Sequence, residues 1–191
     1  MVMDSKQHIS TRKIVFAALM AALTVVGSAL RIKVPADVVG TSAFHLGNIM
    51  CALSGLLLGP WLGGAAAAIG SALFDIVIDP AYISESWITF LTKGAYGVVV
   101  GLVAYAGRKP WGYGKALVAT VCGAATYAAL YLAKSYFYSG LLIHNLTADA
   151  AWLSVVGKLP ATAFNAGVAI VAAPLLAVAI RKGLEKSHLS L

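Results

Sequence analysis

Hydrophobic residues in this chain gather in long runs that short polar segments separate. Six of the runs approach the roughly 20 apolar residues that a helix needs to cross a bilayer. We predict membrane-spanning helices over Ile14 to Leu30, Phe44 to Leu58, Leu62 to Ile78, Ile88 to Ala106, Ala116 to Tyr138 and Leu159 to Ile180. The predicted fold class is therefore an all-α integral membrane protein, a compact bundle of six transmembrane helices in which residues 1–191 form one domain.

The composition agrees with a chain that folds in lipid. Hydrophobic residues make up 60% of the 191 residues and charged residues only 11%, whereas about 25% of an ordinary soluble domain is charged. So few polar side chains cannot cover the surface of a soluble globule of this size. Cys51 and Cys122 both lie in apolar runs without neighbouring ligand residues, so we expect no metal site and no cofactor.

The positive charges predict the orientation in the membrane. With a cytoplasmic N-terminal segment 1–12 and alternating spans, nine of the 14 Lys and Arg residues fall in the cytoplasm: Lys6, Arg12, Lys13, Arg108, Lys109, Lys115, Arg181, Lys182 and Lys186. Arg31, Lys33 and Lys158 are then the cations of the outer loops, where Asp37 also lies. The excess of cytoplasmic cations predicts a multi-pass protein of the cell membrane with both termini inside, including the tail 181–191. The net charge of +7 is explained in this way without a nucleic-acid partner.

Polar side chains within the predicted spans all lie in the outer half. They are His45, Asn48, Asp75, Lys93, Lys134 and Asn165, and they come from five different spans. Ionisable groups at bilayer depth are costly, by about 2.5 to 3.5 kcal/mol each at a span centre, so they mark a function or a partner. Their convergence at one depth predicts a ligand pocket that opens to the outside.

Helical spacing adds aromatic side chains to the predicted pocket. Phe90, Lys93 and Tyr96 fall on one face of the fourth span. Tyr127, Tyr131 and Lys134 fall on one face of the fifth. Aromatic rings beside a lysine suit a flat, polar ring compound, neutral or anionic. Two alternatives stay open: Lys134 could extend to the outer interface, and Lys93 could form a structural ion pair with Asp75.

Small residues predict where helices approach each other closely. Gly55, Gly59 and Gly63 recur every four residues, and Ala17 with Ala21 and Ala18 with Ala22 form two AxxxA pairs in the first span. Such rows serve helix packing in membranes. The alanines could pack inside the bundle or could form a docking face for another membrane subunit.

Motifs for catalysis and for nucleotide binding are missing from the sequence. It contains no GxxxxGK[ST], no HExxH and no GxSxG. We therefore expect a chain that is not an enzyme, and that takes energy for any transport from a partner or from an ion gradient.

Several segments of the chain resemble the substrate-binding S components of energy-coupling factor (ECF) vitamin transporters. The similarity is carried by the six-span plan, the AxxxA pairs and four stretches: His45 to Asn48, Leu57 to Gly64, Gly70 to Asp75 and Thr89 to Gly94. It covers nearly the whole chain.

The resemblance implies a subunit that captures a micronutrient from outside and passes it to partners. Those partners would be a membrane T subunit and two ATP-binding-cassette ATPases, which hydrolyse the ATP. Ala17, Ala18, Ala21 and Ala22 match the family's docking surface, and residues 31–43 and 79–87 match its outer lids. The metal-transporting branch has a His after the initiator Met, where this chain has Val2. The implied cargo is therefore organic, and we favour a vitamin B6-type compound or pantothenate.

Two other classes of protein remain as alternatives. A self-contained, ion-coupled secondary transporter of a small metabolite could use Lys93 and Asp75 as a coupling pair, but such carriers usually show inverted repeats, and none is evident here. A small membrane enzyme acting on lipid would need an acid cluster or a phosphate-binding loop, and the sequence has neither.

Overall fold

Helices make up most of the chain. The computed structural model describes residues 10–35, 41–107 and 110–187. Its α-helices are α1 (Thr11–Ala29), α2 (Gly47–Leu58), α3 (Pro60–Leu73), α4 (Ser86–Tyr105), α5 (Tyr113–Ala133) and α6 (Ala148–Lys186). A π-helical segment, Phe74–Ile78, continues α3 and another, Lys134–Ile143, continues α5, while a 3-10 helix, Pro80–Glu85, leads into α4.

Five helical stretches within the described residues are long and apolar enough to cross a membrane. They are Thr11–Ala29, Pro60–Ile78, Pro80–Tyr105, Tyr113–Ile143 and Ala148–Lys186. The remaining helix, α2, is apolar but has only 12 residues. The all-α membrane class is thus confirmed, with five span candidates where the hydrophobic runs predicted six.

A β-hairpin joins α1 to α2, and the hydrophobic pattern did not predict it. Strand β1 (Arg31–Pro35) pairs antiparallel with β2 (Thr41–His45), and Arg31 lies opposite His45. The predicted start of the second span at Phe44 is therefore wrong, because Phe44 and His45 belong to β2 and α2 begins at Gly47. A short apolar run does not distinguish a strand from the first turn of a helix.

The short helix α2 lies at the centre of the bundle. All of its residues from Gly47 to Leu57 except Met50 are buried. A Cβ atom on Gly55 would lie 2.5 Å from the carbonyl oxygen of Gly97, so α2 and α4 can approach this closely only with glycine here. Gly63 is packed as closely, since a Cβ atom there would lie 2.3 Å from the Ser54 carbonyl oxygen, so two of the three predicted glycines lie at close helix contacts. Gly59, with a φ of 79°, then turns the chain into α3.

The last helix is much longer than predicted. It has 39 residues, which corresponds to a length of about 58 Å. The predicted outer loop from Ser139 to Lys158 is therefore mostly helical, because the segment that continues α5 ends at Ile143 and α6 begins at Ala148. Lys158, predicted to lie in that loop, is inside α6 and is only 8% exposed.

The four alanines of α1 lie on two different faces. Ala21 is buried against α3, where a Cβ atom on Gly70 would lie 2.4 Å from the Ala21 carbonyl oxygen. Ala17 is partly buried against the core, whereas Ala18 and Ala22 are exposed. The predicted docking face therefore needs correction, because Ala21 packs inside the bundle and no partner can reach it there.

Some features of the predicted orientation fall outside the described residues. They are Lys6, Asp37, Arg108, Lys109, most of segment 1–12 and the last four residues of the tail. The described cations Arg12, Lys13, Lys115, Arg181, Lys182 and Lys186 lie at the start of α1, the start of α5 and the end of α6.

Candidate ligand-binding site

A cavity of about 190 Å³ lies at the hairpin end of the bundle. Its wall is formed by the hairpin, the end of α1, the start of α2, the end of α3 with its π-helical continuation, the start of α4, the end of α5 and the first half of α6. Polar residues that are far apart in the sequence meet here because successive helices begin and end alternately at this end of the bundle.

Seven of the nine predicted ligand-contacting residues line this cavity. They are His45, Asn48, Asp75, Lys93, Tyr131, Lys134 and Asn165. The other two, Phe90 and Tyr96, do not line it. Phe90 is 43% exposed on the outside of the bundle, because the turn of α4 directs Thr89, and not Phe90, to the cavity beside Lys93. Tyr96 is fully buried behind the cavity wall.

Tyrosines form a stack along one wall. The ring centroid of Tyr127 lies 5.7 Å from that of Tyr96 and 5.8 Å from that of Tyr131, with interplanar angles of 19° and 25°. Tyr127 and Tyr131 line the cavity and Tyr96 backs them. Tyr96 thus contributes through packing, since a Cβ atom on Gly123 would lie 2.7 Å from its ring.

Lys93 binds neutral groups and not a carboxylate. Its Nζ donates a hydrogen bond to Asn48 Oδ1 and lies 3.9 Å from the centroid of the Tyr127 ring. Asp75 lines the same cavity and is 8% exposed. Among the described residues no ion pair joins Asp75 to Lys93 at contact distance, so the two groups act on each other only from further apart.

Lys134 is held inside the cavity wall. It forms an ion pair with Glu85, whose other carboxylate oxygen accepts a hydrogen bond of 2.7 Å from Ser139 Oγ. The side chain is therefore directed to a carboxylate of the protein and is only 14% exposed. This pair also joins the 3-10 helix before α4 to the end of α5.

The carboxylate of Asp79 joins the hairpin to the segment between α3 and α4. Asp79, between α3 and α4, pairs with Arg31 and with Lys33 of β1, the latter at 2.6 Å. The Arg31 guanidinium also lies 4.3 Å from the ring centroid of Phe74. These contacts connect β1 to the residues between α3 and α4.

His45 and Asn165 connect the hairpin to α6. Asn165 Oδ1 accepts from the His45 backbone N–H at 3.0 Å, and Asn165 Nδ2 donates to the Ala43 carbonyl at 2.8 Å. The Gly47 N–H donates to His45 Nδ1 at 3.1 Å, which places the imidazole proton on Nε2. Burial, together with the positive charges of Lys93 and Arg31, lowers the pKa of His45 to about 3.

Sequence reasoning missed several residues of the cavity wall. Arg31, Glu85 and Lys158 line it, but the hydrophobic pattern assigned all three to outer loops. Lys158 Nζ is 3.4 Å from Ser135 Oγ. Tyr127 could be predicted as a cavity residue, because its helical spacing places it on the same face as Tyr131 and Lys134.

Cations outnumber carboxylates in the wall. The wall contains four cationic side chains and two carboxylates. The cations are Arg31, Lys93, Lys134 and Lys158, and the carboxylates are Asp75 and Glu85. The described residues contain no group of three or more His, Cys, Asp or Glu side chains that could hold a metal ion. The wall therefore favours neutral or negatively charged organic molecules over cations.

Comparison with known proteins gives a family for this chain. The profile of the family "ECF-type riboflavin transporter, S component" matches residues 8–182. A protein of Pyrococcus woesei, described as an uncharacterized protein in the gap 3' region, is 34% identical over 119 residues. That alignment covers 62% of this chain and 74% of the other protein.

The family match extends from before α1 through the hairpin and into the last part of α6. S components are multi-pass proteins of the cell membrane that bind a substrate for transport, are not enzymes, and partner with a membrane T subunit and two ATPases. The apolar helices and the polar cavity at one end of the bundle agree with such a subunit, and the chain belongs to the ECF-type riboflavin transporter S component family.

Proposed function

We propose that this protein captures a small water-soluble vitamin or cofactor precursor from outside the cell and presents it for ATP-driven uptake by its partner subunits. The observation that carries the proposal is the polar cavity at the hairpin end of a bundle that is otherwise apolar. Ionisable side chains are costly at membrane depth, so a group of them in one buried place marks a functional site by default.

The orientation follows from the two ends of the bundle. The described cations outside the cavity lie mostly at the start of α1, the start of α5 and the end of α6, opposite the hairpin. By the positive-inside rule this end is cytoplasmic, so both termini are inside and the cavity opens to the outside. In this arrangement α2 makes the sixth crossing. Its length of about 18 Å suffices because α2 lies within the bundle and the hairpin covers its outer end.

The substrate that the cavity supports is compact. The cavity has a volume of about 190 Å³, which is below the roughly 300 to 1,000 Å³ of pockets for drug-sized ligands. One ring or a short chain with several polar groups is therefore favoured, such as a vitamin B6-type compound or pantothenate. The family description names riboflavin, a larger compound with three fused rings, which the binding experiment below includes.

We assign the ligand contacts to His45, Asn48, Asp75, Lys93, Tyr131 and Lys134. These side chains come from five parts of the fold and line one cavity. Asn165 has a different role in this proposal, since its amide holds the hairpin backbone. Among the alanines of α1, Ala18 and Ala22 are exposed and form the docking face for the T subunit.

Analysis of the bound compound tests this function. The tagged protein is purified in mild detergent without washing out ligand, then denatured, and the released molecules are identified by mass spectrometry. We expect close to one vitamin-like molecule per protein, and competition among riboflavin, pyridoxine, pyridoxal and pantothenate then ranks the candidates. A protein that releases nothing, binds none of the four and does not co-purify with a T subunit and ATPases would contradict the proposal.

A further inference from the structure

Lys93 differs from two other cations of the cavity wall in the partners that it binds. Arg31 pairs with Asp79 and Lys134 pairs with Glu85, so each has a carboxylate within the protein. Lys93 is 5% exposed, and among the described residues its contacts are the neutral Asn48 amide and the Tyr127 ring. The Asp75 carboxylate lines the same cavity and acts on Lys93 from beyond ion-pair distance, so the buried ammonium has no carboxylate as a direct partner.

The hydrogen-bonding capacity around Lys93 is not used up. An ammonium group has three N–H donors, of which Asn48 Oδ1 takes one. Because the ammonium can only donate, the Asn48 amide must turn its oxygen to Lys93, which leaves the two N–H donors of Nδ2 for another acceptor.

Nδ2 of Asn48 is open to the cavity. It donates to no other described residue. If it were also shielded from the cavity, it would be a buried polar atom without a partner. The Tyr96 hydroxyl is the only such side-chain atom within the described part of the chain. Nδ2 is therefore reachable, and Asn48 lines the cavity although it is just 3% exposed. Lys93 and Asn48 together present several donors and a positive charge to one place, and no acceptor.

We propose that the ligand is an organic anion, and that its acidic group binds Lys93 Nζ and Asn48 Nδ2. This inference rests on the proposed function and narrows its substrate class. A carboxylate or phosphate oxygen accepts from both groups in charge-assisted hydrogen bonds, which are stronger than neutral ones. The Tyr127 ring holds the ammonium from its other side through a cation–π contact.

Asn48 is a positioning residue as well as a ligand contact in this arrangement. Its amide oxygen fixes the Lys93 ammonium on the cavity side of α4. Asp75 lines the same cavity, and its carboxylate suits a donor on the ligand such as a hydroxyl or ring N–H. The substrate class is therefore an acid that also carries a hydrogen-bond donor.

A matched pair of simple probes tests the anion site without knowledge of the substrate. Benzoate and benzamide have nearly the same shape, but only benzoate is charged. Thermal unfolding in detergent is measured with each compound for the wild type, for Lys93→Met and for the control Lys182→Met, which removes an exposed cation of α6.

We expect benzoate to stabilise the wild type and Lys182→Met at concentrations at least tenfold below those that benzamide requires. Lys93→Met should lose the response to benzoate while unfolding at the same temperature as the wild type or above it, because a buried charge has been removed. Asn48→Leu should weaken the response to benzoate in the same direction. Equal responses to the two probes, no response of the wild type to benzoate, or an unchanged response of Lys93→Met would each overturn the inference.

Failure of this inference is distinct from failure of the proposed function. A released vitamin-like compound that carries no acidic group would overturn the anion site and leave the capture function standing. A stabilising effect of benzoate that depends on Lys93, in a protein that releases no compound and has no partner subunits, would support the anion site and contradict the capture function.

Discussion

The side-chain amide of Asn165 bonds to the backbone of β2 on both sides of Phe44. Its oxygen accepts from the His45 N–H at 3.0 Å and its nitrogen donates to the Ala43 carbonyl at 2.8 Å. One side chain of α6 thus substitutes for a neighbouring strand at the free edge of the hairpin. Edge backbone groups in a buried place need such partners.

Replacement of Asn165 should loosen the hairpin. Asn165→Leu leaves one backbone donor and one acceptor without partners, which should lower the free energy of unfolding by about 1 to 3 kcal/mol. Ligand affinity should fall as well, because β2 carries His45 into the cavity wall. Thermal unfolding in detergent measures the first effect. Thr126→Val is the control, since Thr126 bonds only the Cys122 carbonyl within α5. Equal losses in both variants would refute the role of Asn165.

The carboxylate of Asp79 should hold the hairpin to the segment before α4. Asp79→Asn weakens the pairs with Arg31 and Lys33, at a cost of about 1 to 3 kcal/mol. We expect faster hydrogen exchange across residues 41–45, measured by mass spectrometry on the purified protein. Glu185→Gln removes the exposed pair with Arg181 and should leave this exchange unchanged. If residues 41–45 exchange at the wild-type rate in Asp79→Asn, the carboxylate does not fasten the hairpin.

His45 should make the fold less stable in acid. Its pKa falls from 6.5 in the unfolded chain to about 3 in the folded protein, so the unfolded state binds a proton more readily over that range. The neutral imidazole therefore contributes its full stability above pH 6.5, and this contribution is lost as the pH falls from 6.5 towards 3.

Unfolding temperatures of the wild type and His45→Gln at pH 7.5 and pH 5 measure this effect. The wild type should lose more stability between the two pH values than the variant, which has no imidazole at this position. Parallel losses would mean that His45 does not titrate with a lowered pKa.

The two faces of α1 should respond differently to added volume. Ala22→Leu adds a bulky side chain at an exposed position, so binding of the ligand should stay as in the wild type, while co-purification with the T subunit and uptake should be lost. Ala21→Leu adds the same volume where α1 meets α3, and should destabilise the fold itself by about 1 to 3 kcal/mol. Normal uptake by Ala22→Leu would show that this face does not dock.

The sequence predicts a residue of the cavity wall correctly where a charged residue interrupts an apolar run. Lys93 and Asp75 stand out for that reason, and both line the cavity. Arg31, Glu85 and Lys158 also line it but adjoin polar segments, where a charged residue is ordinary. Arg31 is placed by the hairpin, Glu85 by the 3-10 helix before α4 and Lys158 by the early start of α6. Hydrophobicity reveals none of these three features.

The rotation of a helix about its own axis is harder to predict than its position. Phe90 and Thr89 are three and four residues before Lys93, and helical spacing allows either to share its face. The packing of α4 against α3 decides between them: a Cβ atom on Gly64 would lie 2.5 Å from a Val98 methyl group. A single sequence does not contain that contact, so Phe90 was assigned to the cavity and Thr89 was not.

Transport by reconstituted proteoliposomes tests the central claim most directly. Vesicles hold either this chain alone or this chain with its T subunit and ATPases, and uptake of the labelled compound identified by mass spectrometry is followed with and without ATP. We predict saturable binding by the chain alone without ATP, and net uptake only when the partner subunits and ATP are both present. Net uptake by the chain alone, driven by a proton or sodium gradient, would contradict the account and identify a secondary transporter.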